Sequence, residues 1–98
     1  MQEKKFYVYI LVTKANGTFY VGMTSDLTKR IWEHKNEVTG GFTKEHGIKT
    51  LAYYEVFDDP ENAIRREKRL KKWPRLWKMR VIEKMNPEWK DLYETLTP

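Results

Sequence analysis

A hairpin signal near the amino terminus limits the folds open to this chain. Two segments rich in aromatic and β-branched residues, 6–13 and 18–23, flank the dipeptide Asn16-Gly17. Such residues are enriched in strands, and Asn-Gly is a strong signal for a tight turn because both residues tolerate positive φ. The sequence therefore predicts two antiparallel strands joined by a short connection.

The expected pairing places two tyrosines side by side. In a two-residue loop, Thr13 lies opposite Tyr20, and the strand period of two puts Tyr9 on the same face. A four-residue loop keeps this parity, whereas a three-residue loop would place the tyrosines on opposite faces. Gly22 shares their face, where it either admits a close backbone or ligand or merely relieves the geometry of the strand end. We expect Tyr9 and Tyr20 to project together.

The next segment, 26–37, is predicted to be a helix with polar groups near its buried side. Asp26 and the two hydroxyl residues before it supply N-cap side chains. His34 lies on the apolar stripe, and Arg30 flanks it. His34 is therefore either a hydrogen-bonded core histidine or a functional group, and Arg30 either a solvated flank or an anion-binding cation. The apolar members of the stripe are Leu27, Ile31 and Val38.

Aspartates and prolines divide the second half of the chain. Asp59-Pro60 combines a capping acceptor with the residue favoured in a first helical turn. Pro74 and Pro87 are expected to interrupt helices, because proline lacks the backbone donor and disfavours helical geometry before it. The predicted elements are a loop at 39–50, a strand at 51–57, helices at 60–73 and 75–85, and a final turn at 88–93 that packs its aromatic residues on the body.

Glu67 is the most informative residue of the second predicted helix. It shares the apolar face formed by Ala63, Ile64 and Leu70. A carboxylate in such a stripe needs a partner, because desolvating an unpaired ion costs several kcal/mol. Glu67 is therefore either a member of an ion pair, with Lys71 or Arg30 as its partner, or a metal ligand.

The charge of the chain favours an acidic partner. The net charge is +5 and the isoelectric point is about 9.4. Cations alternate with tryptophans along the second and third predicted helices, a pattern that suits a nucleic-acid backbone but also describes a solvated face. The candidate nucleic-acid contacts are Lys44 in the predicted loop and Arg65, Arg66, Arg69, Lys72 and Arg75 on the helices.

Composition excludes several other classes of protein. The chain of 98 residues has no cysteine, so it has no disulfide, thiolate metal site or cysteine nucleophile. No apolar run is long enough to cross a bilayer, and the first residues lack a signal-peptide pattern. These features predict one small domain over residues 1–98, without membrane association and in the cytoplasm, with a monomer as the default oligomeric state.

The amino-terminal motifs resemble the core of the GIY-YIG nuclease superfamily. Tyr7-Val8-Tyr9 and Tyr20-Val21-Gly22 correspond to the two motifs that name the family. Successive spacings of eleven, ten and four positions lead from Tyr9 to Tyr20 and then to an arginine and a histidine, Arg30 and His34. The chain departs from the pattern with Tyr7 in place of glycine and valine in place of isoleucine in both motifs. The resemblance covers roughly residues 5–93.

This resemblance implies a fold, an activity and roles for the candidate residues. The fold class is α/β (α+β), with a three-stranded antiparallel sheet flanked by helices. The activity is that of an endonuclease that hydrolyses phosphodiester bonds, with DNA as the preferred substrate, RNA as an alternative, and repair or recombination as the setting. In the family, a glutamate on the helix after the third strand binds one divalent metal ion, Mg²⁺ or Mn²⁺, and Glu67 is the matching residue.

The remaining roles also follow from the resemblance. Tyr9 is the first choice as general base, with Arg30 or His34 assisting it, and Tyr20 orients the water or the phosphate; the two tyrosines could exchange these roles. Arg30 contacts the phosphate oxygens. Asn86 matches an asparagine that shapes the site, although helix termination before proline explains it fully. Two other readings stay open: a non-catalytic nucleic-acid-binding module on the same fold, and a protein-interaction domain that uses exposed tryptophans.

Overall fold

Three antiparallel strands form the sheet, as the sequence predicts. The computed structural model describes residues 4–13, 17–36 and 50–96. In chain order its elements are β1 (Phe6–Val12), β2 (Phe19–Thr24), α1 (Leu27–Lys35), β3 (Thr50–Phe57), α2 (Pro60–Lys72), α3 (Arg75–Met85) and a 3₁₀ turn (Leu92–Thr95). The strand order is β2-β1-β3, with both pairings antiparallel. The α+β architecture is therefore confirmed.

The register of the hairpin differs from the two-residue expectation. Tyr9 lies opposite Gly22, and Tyr20 lies opposite Leu11 rather than Thr13. The ladder closes early because the Thr13 amide donates to the carbonyl oxygen of Thr18 at 3.2 Å, which leaves residues 14–17 as the connection. Of the loop lengths considered from the sequence, the four-residue connection is the one found, and it preserves the parity of the tyrosines. Residue 16 of the predicted turn lies outside the described residues.

The sheet is covered on both faces. One face of β1 packs with α2 and α3, in a core cluster that includes Val8, Ile10, Val12, Ala63, Leu70 and Ile82. The other face packs with α1, in a cluster of Tyr9, Leu11, Leu27, Ile31 and Leu51. β2 is an edge strand, and Glu67 from the α2 layer lies within electrostatic range of Tyr9 on the face covered by α1. This arrangement positions the candidate site.

The helix boundaries agree with the capping signals. Asp26 accepts a hydrogen bond from the amide of Lys29 and caps α1. Asp59 accepts from the amide of Asn62, with Pro60 at the start of α2. Trp73 ends α2, and Pro74 precedes α3, as expected.

One predicted core position on α2 is wrong. Ala63 and Leu70 are fully buried, whereas Ile64 is 40% exposed. Adjacent positions on a helix differ by about 100°, so Ile64 is rotated away from the line that its neighbours Ala63, Glu67 and Leu70 present to the sheet.

The carboxyl-terminal aromatic residues pack on the body, as predicted. Trp89 contacts the cluster beneath α2 and α3, whereas Leu92 and Tyr93 contact the cluster beneath α1. Among the described residues, none of the helices has the length and apolar character needed to cross a membrane.

Candidate active site

Three aromatic rings from three elements meet on the face of the sheet covered by α1. The ring centroids of Tyr9 on β1 and Tyr20 on β2 are 6.4 Å apart, which confirms that the two side chains project together. His34 of α1 lies 5.9 Å from Tyr9 and 5.5 Å from Tyr20, centroid to centroid. The Tyr9 hydroxyl and Nε2 of His34 are hydrogen-bonded at 3.1 Å. The sequence motif thus folds into a connected cluster, which we call the Tyr-Tyr-His cluster.

Gly22 leaves the space that the Tyr9 ring occupies. A Cβ atom at this position would lie 2.5 Å from the Tyr9 hydroxyl oxygen and 2.6 Å from Cζ. These distances are far below van der Waals contact, so any larger residue would displace the ring. The close neighbour of Gly22 is therefore the Tyr9 side chain, across the strand pair, rather than the backbone or ligand considered from the sequence.

Burial sets the protonation states within this cluster. Burial raises the pKa of Tyr9, and Tyr20 and Glu67 act in the same direction, whereas the positive charge of Arg30 opposes them. Burial lowers the pKa of His34, and Arg30 adds to this effect. A neutral phenol therefore faces a neutral imidazole. The Tyr9 hydroxyl donates to Nε2 in the tautomer that carries its proton on Nδ1, whereas in the other tautomer Nε2–H donates to the hydroxyl oxygen.

The lowered pKa of His34 gives a testable pH dependence of stability. Unfolded His34 titrates near 6.5, and the folded form titrates below that value. The unfolded state therefore binds more protons in this window, so we expect stability to fall as pH drops below about 6.5. Urea unfolding at a series of pH values measures this change. His34→Gln should flatten that part of the curve, and an unchanged slope would contradict a buried neutral His34.

Arg30 lies within electrostatic range of Tyr9 and His34. Its side chain is 43% exposed, and its Nε lies 3.4 Å from Oε1 of Glu33. A polar pocket of about 170 Å³ opens beside it, lined also by Thr24 and Asp26. An ion pair of this exposure is weak, on the order of 0.5 kcal/mol. Arg30 can therefore turn its guanidinium to an incoming phosphate.

Glu67 approaches the cluster from α2. Its side chain is 21% exposed, and Oε2 lies 3.3 Å from Nζ of Lys71, which is itself 53% exposed. Because its charge contributes to the raised pKa of Tyr9, the carboxylate lies within electrostatic range of the phenol. Of the two ion-pair partners considered for Glu67 from the sequence, Lys71 is the one that forms the pair, and not Arg30.

The donor set around Glu67 fits a hydrated hard cation. Within residues 4–13, 17–36 and 50–96, no group of three or more histidine, cysteine, aspartate or glutamate side chains could enclose a metal ion. Mg²⁺ characteristically uses one or two carboxylates and completes its shell with water and substrate phosphate oxygens. A single, partly exposed glutamate matches that pattern.

The predicted nucleic-acid contacts separate into different surroundings. Arg65 and Arg69 line a shallow cleft of about 390 Å³ beside β3, together with Phe57. Arg66 is held by Glu55, with Nε and Nη2 at 3.1 and 2.9 Å from the carboxylate. Its guanidinium also lies over a tryptophan ring at the end of α2. The sequence analysis did not select Glu55, although an acidic residue within the otherwise apolar strand 51–57 indicates that a partner is needed.

Arg75 lies on the β2 side of the molecule. Its guanidinium is 4.2 Å from the ring centroid of Phe19, and it donates a hydrogen bond to the carbonyl oxygen of Gly17. Lys72 is exposed at the end of α2. Lys44 falls outside the described residues, so its role stays a prediction.

Asn86 is buried at the end of α3. Its amide nitrogen donates to the carbonyl oxygens of Ala52 and Lys90 at 3.1 and 2.7 Å, and its amide oxygen accepts from the Lys90 amide. These bonds tie α3 to β3 and to the segment that follows. They account for the burial of Asn86 independently of catalysis, and its site-shaping role stays a prediction.

Comparisons with a family model, with related sequences and with a solved structure agree with one another. The family model of the GIY-YIG catalytic domain matches residues 5–80. A UPF0213 protein of Staphylococcus saprophyticus is 36% identical over 78 residues, covering 80% of this chain and 94% of the relative. A UPF0213 protein of Bacillus pumilus is 34% identical, covering 90% and 89%. The solution NMR structure of a UPF0213 protein from Bacillus halodurans superposes with a TM-score of 0.56 at 26% identity, covering 96% of this chain and 99% of that one.

Proposed function

Because the chain belongs to the GIY-YIG family, we propose that it is a metal-dependent endonuclease that hydrolyses phosphodiester bonds in nucleic acid. The observation that carries this proposal is the hydrogen bond between the Tyr9 hydroxyl and Nε2 of His34, beside Tyr20 and within electrostatic range of Glu67. Binding alone requires cations and stacking surfaces. It does not require a buried tyrosine paired with a neutral histidine.

The proton pathway begins at Tyr9. Burial raises the pKa of its hydroxyl, so the phenolate is scarcely populated near neutral pH and Tyr9 needs a neighbour that takes its proton. We assign His34 as the group that makes Tyr9 effective: the Tyr9 proton moves to Nε2 as the phenolic oxygen accepts a proton from water. This relay favours His34 over Arg30 as the assisting group, because only the imidazole can accept the proton.

The water oxygen then forms a bond to phosphorus, and the bond to the leaving sugar oxygen breaks. The leaving alkoxide takes its proton from solvent. Arg30 contacts the non-bridging oxygens and stabilises their growing negative charge, for which a planar guanidinium is well suited. Tyr20, which meets His34 edge-on, orients the attacking water.

Glu67 is the residue that would hold the divalent ion, Mg²⁺ or Mn²⁺. When bound, such an ion supplies Lewis-acid stabilisation of the phosphate and of the leaving oxygen. Lys71 holds the carboxylate in place through an exposed pair, and pairs of this kind are worth only about 0.3–0.5 kcal/mol. The carboxylate is therefore readily available to a cation.

We propose DNA as the substrate, in repair or recombination, with Arg65, Arg69 and Lys72 contacting the backbone away from the scissile phosphate. Replacing these three residues by glutamine should weaken binding and reduce the slope of log affinity against log salt by roughly two to three, because each lost phosphate contact removes about 0.7–0.9. Anisotropy titrations at several salt concentrations measure the slope. If the slope is unchanged, these residues form only a solvated face.

The proposed activity is tested with purified protein and a panel of labelled substrates: single strands, flaps, branched duplexes and RNA, each with Mg²⁺ or Mn²⁺. Cleavage of one class by the wild-type protein, and its loss in a Glu67 variant, is the expected result. Tight binding without cleavage of any member would favour the non-catalytic binding module instead.

A further inference from the structure

A second cationic groove adjoins the Tyr-Tyr-His cluster. It lies between β2 and the two helices on the opposite face, has a volume of about 300 Å³, and is lined by Phe19, Tyr20, Val21, Lys71 and Lys78. Tyr20 belongs both to this groove and to the cluster. Lys71 also contacts Glu67. The groove and the cluster are therefore adjacent, and Tyr20 is common to both.

The groove and the cleft lined by arginines beside β3 lie on opposite flanks of α2. Lys71 shares its groove with residues of β2, whereas Arg65, Arg66 and Arg69 line the cleft beside Phe57 of β3. Helix geometry separates the two sets, since Lys71 and Arg66 lie on either side of the residue that faces the sheet, Glu67. Among the cations of α2 and α3 that line these two sites, Lys71 and Lys78 are the ones that share a groove with Tyr20 of the cluster, and neither was among the predicted nucleic-acid contacts.

Lys78 is the better defined of the two lysines. Its Nζ lies 3.5 Å from the carbonyl oxygen of Lys71, at the outer limit of a hydrogen bond. Burial lowers its pKa, and the charge of Arg75 adds to this effect. The attraction of a bound anion would offset both the cost of partial desolvation and the repulsion from Arg75.

The groove suits a phosphate better than a base. Its one phenylalanine, Phe19, lies under the guanidinium of Arg75 at 4.2 Å and beside the ring of Trp89 at 6.0 Å, centroid to centroid. The phenylalanine is thus already in contact on two sides. The ammonium groups of Lys71 and Lys78, by contrast, offer several hydrogen-bond donors to an anion.

We propose that Lys71 and Lys78 form a subsite for the backbone phosphate that neighbours the scissile phosphodiester on the Tyr20 side. The assignment rests on the proposed nuclease function for its substrate, because it takes the polymer to be nucleic acid. The subsite consists of two lysines on the β2 side of α2, whereas the other cations of α2 lie elsewhere on the helix surface.

The test is a binding measurement that does not depend on cleavage. Fluorescence anisotropy in EDTA follows a labelled single strand, a duplex and a flap on the wild-type protein and on Lys78→Gln, Lys78→Arg and Lys84→Gln. Lys84 is an exposed lysine of the same helix, α3, and lines a different pocket. We expect Lys78→Gln to weaken binding by roughly 5- to 10-fold and to lower the salt slope by about 0.7–0.9, the value for one phosphate. Lys78→Arg should retain most of the affinity, and Lys84→Gln should stay within about twofold of wild type.

The outcomes separate this subsite from the proposed function. Equal affinities and slopes for Lys78→Gln and Lys84→Gln would overturn the subsite, even if the protein cleaves its substrate. A Lys78-dependent affinity without cleavage of any substrate would support the subsite and overturn the nuclease. Absence of nucleic-acid binding by the wild-type protein would overturn both.

Discussion

Glu67→Gln is expected to abolish divalent-dependent cleavage while leaving the fold and the affinity for nucleic acid nearly unchanged. The amide keeps the shape of the carboxylate but is a poorer ligand for a hard cation. A metal acting as a Lewis acid contributes several kcal/mol to the transition state, and each 1.4 kcal/mol is a tenfold change in rate. The loss of kcat should therefore be at least about 100-fold.

The effect of the same change on stability separates a metal ligand from a structural ion pair. Breaking a buried pair costs about 3–5 kcal/mol. The partner of Glu67 is Lys71, which is 53% exposed, so the pair is of the surface type and worth about 0.3–0.5 kcal/mol. In a domain of this size the thermal midpoint should fall by no more than about 2–4 °C. A large fall in Tm would indicate that Glu67 forms a structural ion pair instead.

Glu61→Gln is the matched control for this experiment. Glu61 lies in the first turn of α2, where it is exposed, and the substitution removes the same charge from the same helix. It should retain full cleavage, with a small loss of stability because an acidic residue near a helix amino terminus is favourable by about 0.3–1 kcal/mol. Full activity in Glu67→Gln would contradict the proposed mechanism. Equal losses of cleavage in both variants would indicate an effect of removing negative charge from α2, and not of removing a metal ligand.

Local signals predicted the parts of the fold that depend on short-range geometry. The pleat alternates side chains strictly, so Tyr9 and Tyr20 share a face in any hairpin whose connection has an even number of residues. Asp59 and Pro60 set the start of α2 through a cap and a fixed φ, both of which act within one turn. His34 was placed on the buried side of α1 by the helical period alone. These features required no knowledge of distant contacts.

Features that depend on packing between distant elements were not predictable in this way. The helical period places Glu67 toward the sheet, but it does not tell which flank of α2 lies beside β2. The ion pair of Arg66 with Glu55 joins α2 to β3; an acidic residue in an apolar strand indicates that a partner is needed, but it does not identify that partner. The hairpin register likewise depends on the pairing of Thr13 with Thr18, because an Asn-Gly dipeptide marks a turn without fixing where the ladder closes.

Gly22→Ala is expected to impair cleavage as strongly as the loss of a catalytic side chain. The added methyl carbon would lie 2.5 Å from the Tyr9 hydroxyl oxygen, so the ring must move. Tyr9 is only 1% exposed and packs against buried residues beneath α1, which leaves the rigid ring little room. The movement separates the hydroxyl from Nε2 of His34 and interrupts the proton relay. We expect a loss of about 10²- to 10³-fold in kcat, within the range of general-base catalysis, and a destabilisation of about 1–3 kcal/mol from overpacking.

A double-mutant cycle with Tyr9→Phe shows whether Gly22 acts through the tyrosine hydroxyl. Tyr9→Phe alone removes the proton acceptor and should lower kcat by a similar factor while the ring stays in place. If Gly22→Ala acts by displacing that hydroxyl, adding it to Tyr9→Phe should change kcat little further, because the two changes disable the same step. Urea unfolding of all four proteins establishes that each is folded under the assay conditions. Independent, multiplicative losses of kcat in the double variant would contradict this coupling, and wild-type activity in Gly22→Ala would remove Tyr9 from the proposed relay.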